Sequence, residues 1–314
     1  MNNDKVNWHG SYVAAVTPFH QNGDLDEKGF CANLEFLLAS GADGLVISGC
    51  TGESWALSAD ERARLFELAV KTAEGKVPVI AGTGSVPTRA VIELSQRAKD
   101  LGCAGIMILP PYYCMAGRRE VIAHYQAVSD AVKHPILLYN IPRRTGFNLS
   151  PEVLDELVGV EWVVAIKESS NDFIQTESTI RSVGDRITVF TGHSAERAVP
   201  ALVMGAKGFV SSMESQIMGR EAIEMYSLVK RGELAKAAAT QHRTLDLDES
   251  MRKCGTFPAN LKAAMNLLGR PVGLPRAPIL PLTVTQLEEV QRVLDRLRIG
   301  VASGATTPLS EARA

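Results

Sequence analysis

Ligand-spaced histidines, paired cysteines, long apolar runs and a surplus of either charge are all missing from this chain of 314 residues. Its five cysteines, Cys31, Cys50, Cys103, Cys114 and Cys254, are odd in number, far apart and without a Cys-x-x-Cys pair. That argues against a disulfide framework or a zinc ribbon and for reduced thiols. The six histidines include no His-x-x-x-His, and no carboxylate cluster stands in for one, so no metal is expected. No apolar run approaches the length of a bilayer and the first nine residues are polar, which points to a soluble, cytoplasmic protein with no membrane partner. The 33 Lys and Arg nearly balance the 35 Asp and Glu and are scattered, so no nucleic-acid partner is expected. Neither Gly49-Cys50-Thr51-Gly52 nor Gly82-Thr83-Gly84 completes the Gly-x-Gly-x-x-Gly of a dinucleotide site.

What the chain does have is a period. With 46% hydrophobic residues it can fill one large core or two modest ones. Short apolar runs at 12–16, 44–48, 77–81, 105–109, 136–139, 163–166, 187–191 and 208–211 read as strands. Between them lie amphipathic stretches such as 60–73, where Ser58 and Glu61 form a capping box, and 88–101. Gly41-Ala42-Asp43-Gly44, Gly102-Cys103-Ala104-Gly105 and Gly205-Ala206-Lys207-Gly208 are near repeats that each stop a helix before a strand. Eight such units over about 200 residues fit an α/β fold of the (β/α)8 TIM-barrel type, spanning 1–214. Helical patterns then follow alone at 220–230, 234–249, 258–268 and 284–297, a C-terminal helical extension over 215–299. The small, polar residues 300–314 read as a disordered tail.

Barrels of this kind work at the C-terminal ends of their strands. The sixth run, Val163-Val164-Ala165-Ile166, ends in Lys167 and is followed by polar Glu168-Ser169-Ser170. Burial there disfavours an ammonium, and a neutral ε-amine attacks a ketone or aldehyde to form a Schiff base. A lysine whose head reaches water is the ordinary alternative. Other strand tips carry suitable company. Gly49-Cys50-Thr51-Gly52 offers backbone N–H groups and a hydroxyl for a carboxylate, with a plain tight turn as its alternative. The fourth and fifth tips bring Tyr112, Tyr113 and Tyr139 as proton carriers and Arg143 and Arg144 as carboxylate forks. Rings packed at strand ends and surface arginines are the dull counterparts. His193, after the seventh strand, suits either a second substrate or a hydrogen-bonded rim.

The ordered motifs Thr17-Pro18-Phe19, Gly-x-Thr-Gly-Glu at 49–53, Ile80-Ala81-Gly82-Thr83-Gly84, Pro110-Pro111-Tyr112-Tyr113, Tyr139-Asn140-Ile141-Pro142 and Ile166-Lys167-Glu168 cover residues 10–297. Through them the chain resembles the dihydrodipicolinate synthase and N-acetylneuraminate lyase family, pyruvate-dependent class I aldolases on a TIM barrel. By that resemblance Lys167 carries the imine of pyruvate, and Tyr139 is the proton-shuttling tyrosine. Cys50, Thr51 and Gly52 hold the pyruvate carboxylate, and Val210 on the eighth strand joins the substrate-binding residues. Tyr113 reaches into a neighbouring subunit, which implies a homodimer or homotetramer, and Arg144 receives the carboxylate of the aldehyde. No cofactor is implied beyond the covalent imine.

The best specific expectation is 4-hydroxy-tetrahydrodipicolinate synthase activity, joining pyruvate to aspartate semialdehyde. The alternative is an aldolase or dehydratase of a hydroxy-2-oxo acid such as 4-hydroxy-2-oxoglutarate, or of a 2-keto-3-deoxy sugar acid. Cys50 in place of a second threonine, and Arg252-Lys253-Cys254-Gly255-Thr256-Phe257-Pro258 in place of an Asn-Pro-x-Pro pattern, point toward the alternative. Ala59, Val86 and Ala90 replace polar residues where lysine-inhibited synthases bind their inhibitor, so no inhibition by lysine is expected. A purely binding barrel fits the lysine and tyrosines poorly.

Overall fold

The structure, a computed structural model, describes residues 6–300. The tail expected at 300–314 therefore lies, Gly300 apart, outside the described residues. Eight parallel strands close into a barrel in chain order: β1 Gly10–Ala14, β2 Gly44–Ile47, β3 Val79–Gly82, β4 Gly105–Ile108, β5 Ile136–Asn140, β6 Val163–Glu168, β7 Thr188–Thr191 and β8 Gly208–Ser211. Helices α1 Glu27–Ala39, α2 Ala59–Ala73, α3 Thr88–Asp100, α4 Arg118–Val132, the short α5 Pro142–Thr145 with α6 Pro151–Leu157, α7 Phe173–Val183 and α8 Ser194–Val203 alternate with them. This is a TIM barrel, and its βα loops lie together at one end.

The local signals hold. Ser58 caps α2 and Glu61 returns the bond, a complete capping box. Gly41, Gly102 and Gly205 have φ of 97°, 87° and 112°, a left-handed turn that costs glycine little. Three strand boundaries move for identifiable reasons. β1 starts at Gly10, which pairs with Gly208, and ends early because the N–H of Val16 donates to the Gln216 side chain. β3 starts after Pro78, which lends its carbonyl to Leu45 but has no N–H to give.

Past β8 come α9 Met213–Met218, α10 Arg220–Ile223, α11 Met225–Lys230, α12 Leu234–Cys254, α13 Ala259–Leu267 and α14 Val284–Arg296. The helix expected at 220–230 is divided at Glu224, whose ψ of −4° flattens the turn. The one expected at 234–249 runs on to Cys254. A core of Val16, Met213, Ile217, Met251, Leu261, Met265 and Val290 seats α9, α12, α13 and α14 over the C-terminal end of the barrel, while α11 packs against α8.

The barrel interior is filled by Tyr12, Val46, Ile80, Met107, Leu137, Phe190 and Val210, with Trp8, ahead of β1, plugging the N-terminal end. A second core, including Leu45, Ile47, Leu138 and Ile166, lies between strands and helices. The division fixes which residues of β6 look inward. Val163 pairs with Ile136 but Ala165 with Leu137, so Val164 is an extra residue in a β-bulge. The slip of one sets the alternation beyond it: Ile166 joins the outer core, and Ala165 and Lys167 turn to the interior.

Candidate active site

β6 does not stop before the lysine. It continues through Lys167 and Glu168, in register with Tyr139 and Asn140 of β5. The outward Glu168 is satisfied by its neighbours, accepting from Asn140 Nδ2 at 2.8 Å and from the backbone N–H of Ser170 at 2.7 Å. The inward Lys167 is only 7% exposed, and its Nζ lies 4.4 Å from the centre of the Tyr139 ring. Burial pulls its pKa down to about 8, with Cys50 the first influence opposing it. A neutral amine is therefore accessible near neutral pH.

Lys167 sits in a cavity of about 250 Å3 at the mouth of the barrel. Tyr139 lines it from β5, and its hydroxyl donates to Cys50 Sγ at 3.8 Å. Burial first, and the thiol second, raise the Tyr139 pKa well above its ordinary value. Cys50 and Thr51 line the cavity from the loop after β2, and Val210 from β8. Gly52 is buried behind them: its carbonyl accepts from Thr17 Oγ1 at 2.7 Å, and an added Cβ would come 3.1 Å from the Ala15 carbonyl. The loop is braced from below by Glu53, whose carboxylate meets Lys262 Nζ at 2.5 Å and the backbone N–H of Arg276 at 2.9 Å.

Arg143 and Arg144 reach the cavity from α5, with the Arg144 guanidinium 5.7 Å from the centre of the Trp55 ring. His193, in the left-handed region at φ 49°, hydrogen-bonds the Ser169 carbonyl at 3.2 Å, and burial lowers its pKa to about 4. It is a neutral member of the wall at ordinary pH. Tyr113 does not line this cavity; it stands 92% exposed with φ of 68°.

The far wall contains residues that the sequence did not single out. Glu214 follows β8 and is buried, accepting from Ser194 Oγ. Arg252 on α12 pairs with Glu196 of α8 and, at 2.6 Å, with Asp248. The rule that barrel chemistry follows strand ends reaches Glu214, three residues past Ser211. It does not reach Asp248 or Arg252, which come from a helix outside the barrel repeat. Among the described residues no group of three His, Cys, Asp or Glu is placed to hold a metal ion, and no helix is long and apolar enough to cross a membrane.

A buried amine beside a phenol, with guanidinium groups lining the same cavity, suits covalent capture of a 2-oxo acid. Comparison with known proteins agrees with that chemistry. Residues 7–297 match the model of the dihydrodipicolinate synthetase family. A 4-hydroxy-tetrahydrodipicolinate synthase of Halalkalibacterium halodurans is 38% identical over 90% of this chain and 95% of its own length. Another, of Oceanobacillus iheyensis, is 36% identical over 92% and 97%. Among solved structures, a chloride-inhibited dihydrodipicolinate synthase of Acinetobacter baumannii in complex with pyruvate superposes with a TM-score of 0.88 at 29% identity, covering 93% of this chain and all of its own. With its barrel, its inward lysine and this match over nearly the whole length, the chain belongs to the dihydrodipicolinate synthetase family.

Proposed function

We propose that the chain is a 4-hydroxy-tetrahydrodipicolinate synthase that condenses pyruvate with aspartate semialdehyde on Lys167. The observation that carries this is the inward, desolvated lysine packed against Tyr139 on the neighbouring strand. The neutral amine attacks C2 of pyruvate and water leaves, giving an iminium ion. Backbone N–H groups of the loop at Cys50 and Thr51 hold the pyruvate carboxylate. The Tyr139 hydroxyl takes a C3 proton as it hands its own toward the Cys50 sulfur and the thiol passes its S–H proton on to water, which produces the enamine. Enamine C3 then bonds to the aldehyde carbon, while Arg144 pairs with the carboxylate of that substrate. The product's own amine attacks the imine carbon, closes the ring and releases Lys167. No further cofactor takes part.

The same proposal gives Tyr113 a task. Exposed on its own subunit, it completes the site of a second copy, so the working form is a homodimer or homotetramer in the cytoplasm. Residues 1–214 then form the catalytic barrel, and 215–299 the helical extension that closes over it.

Substrate choice is tested by supplying pyruvate with aspartate semialdehyde and, separately, 4-hydroxy-2-oxoglutarate or a 2-keto-3-deoxy sugar acid. Turnover should be fastest, as kcat/KM, with the first pair. Faster cleavage or dehydration of either of the others would replace the synthase assignment with that of the alternative lyase.

A further inference from the structure

Glu214 is a buried acid for which the chemistry above has no task. It is 3% exposed and lines the same cavity as Lys167. Its carboxylate accepts from Ser194 Oγ and, at 3.4 Å, from the backbone N–H of Ser212, and neither donor is charged. The cavity cation on α12, Arg252, is already engaged by Glu196 and Asp248. A carboxyl group buried among neutral donors tends to keep its proton. Burial does raise the Glu214 pKa, the Ser194 hydrogen bond pulling the other way.

Its position complements that of Tyr139. On one side of Lys167, β5 supplies Tyr139 directly in register. On the other side lie β7 and then β8, and Glu214 follows β8. The Tyr139 hydroxyl has the Cys50 sulfur as its contact, a weak hydrogen-bonding partner at 3.8 Å. Carbon–carbon bond formation places negative charge on the oxygen of the electrophile, which needs a proton source of its own.

We propose that Glu214 is a second catalytic acid, delivering its proton to the oxygen of the bound aldehyde while Tyr139 serves C3 of the enamine. The assignment rests on the imine at Lys167. As enamine C3 bonds to the aldehyde carbon, the carbonyl π pair moves to oxygen and that oxygen takes the Glu214 proton. The nitrogen lone pair re-forms the iminium ion, and the carboxylate left behind regains a proton from water. In the cleavage direction the same carboxylate removes the hydroxyl proton. The other titratable and charged groups lining its cavity are Lys167 from β6, Cys50 after β2, Tyr139 from β5, Arg143 and Arg144 from α5, His193 and Glu196 from the entrance to α8, and Asp248 and Arg252 from α12; α13 presents the neutral Asn260.

The test is Glu214→Gln, read in three ways: borohydride trapping of pyruvate, exchange of the pyruvate methyl protons in D2O without an aldehyde, and condensation. Trapping and exchange should stay within about threefold of wild type, condensation kcat should fall at least about 100-fold, and the basic limb of its pH profile should vanish. Condensation within threefold of wild type overturns the proposal, and so does an exchange rate that falls in step with condensation. If the Gln variant fails to fold, Ser194→Ala decides. Loss of the donor that favours the carboxylate should move the basic limb to higher pH, and an unmoved limb overturns the proposal. A wild-type chain that traps no pyruvate overturns the Lys167 imine itself, an outcome distinct from a Gln variant that traps pyruvate and condenses normally.

Discussion

Replacing Lys262 with methionine tests how the loop that carries Cys50 and Thr51 is held. Lys262 on α13 and Glu53 are 1% and 0% exposed and meet at 2.5 Å, with the Phe19 ring centre 4.2 Å from Nζ. Burial draws the lysine pKa down to about 8 even with the Glu53 carboxylate holding it up. Methionine conserves most of the volume but leaves the Glu53 charge buried, with the backbone N–H of Arg276 as its remaining close donor. Breaking a buried pair from one side costs about 3–5 kcal/mol. For a chain of 314 residues that is a fall of about 5–8 °C in Tm. Because Glu53 anchors the loop that carries Cys50 and Thr51, KM for pyruvate should rise alongside. Thermal unfolding and steady-state kinetics read the two effects. Adding Glu53→Gln removes the stranded charge and should restore at least about 1 kcal/mol, a coupling that distant sites do not show. A Lys262→Met variant within about 1 kcal/mol of wild type, or a double variant that is simply additive, would refute the brace.

Three other outcomes follow from the geometry. With the Lys167 pKa at about 8, about one amine in ten is neutral at pH 7, against about three in ten thousand at the ordinary value of 10.5. The rate of imine formation should therefore climb tenfold per pH unit below 7 and level off above about 8, as stopped-flow trapping would show; a climb continuing past pH 9.5 would mean the lysine is not desolvated. Cys50→Thr puts a hydroxyl where the Tyr139 proton now meets sulfur and should raise condensation kcat, whereas an unchanged value would remove Cys50 from the relay. Ser58→Ala deletes one half of the α2 capping box and should cost about 1 kcal/mol in urea unfolding with kcat intact; no change in the midpoint would contradict the cap.

How far the sequence carried differs from element to element. Strand and helix alternation follows from period and punctuation alone, because each βα unit repeats the same local problem: a buried run, a glycine stop, an amphipathic cover. The boundaries that moved did so where a distant side chain intervened, as when Gln216 takes the N–H of Val16. Lys167, Tyr139, Cys50, Thr51, Val210 and Arg144 share one cavity because strand ends converge in a barrel, and a linear reading can use that rule. The inward aim of Lys167 depends on the bulge at Val164, which has no sequence signature. Asp248 and Arg252 arrive through the packing of α12, so nothing local marks them. Tyr113 turns outward, where a single chain gives it no partner in the cavity.

The most direct test of the chemistry is to incubate the chain with pyruvate, reduce with borohydride and measure the intact mass, with peptide mapping of the product. One reduced pyruvyl group per chain, located on Lys167 and lost in Lys167→Ala, is the expected result. No adduct, or an adduct that persists in Lys167→Ala, would contradict covalent catalysis through this lysine.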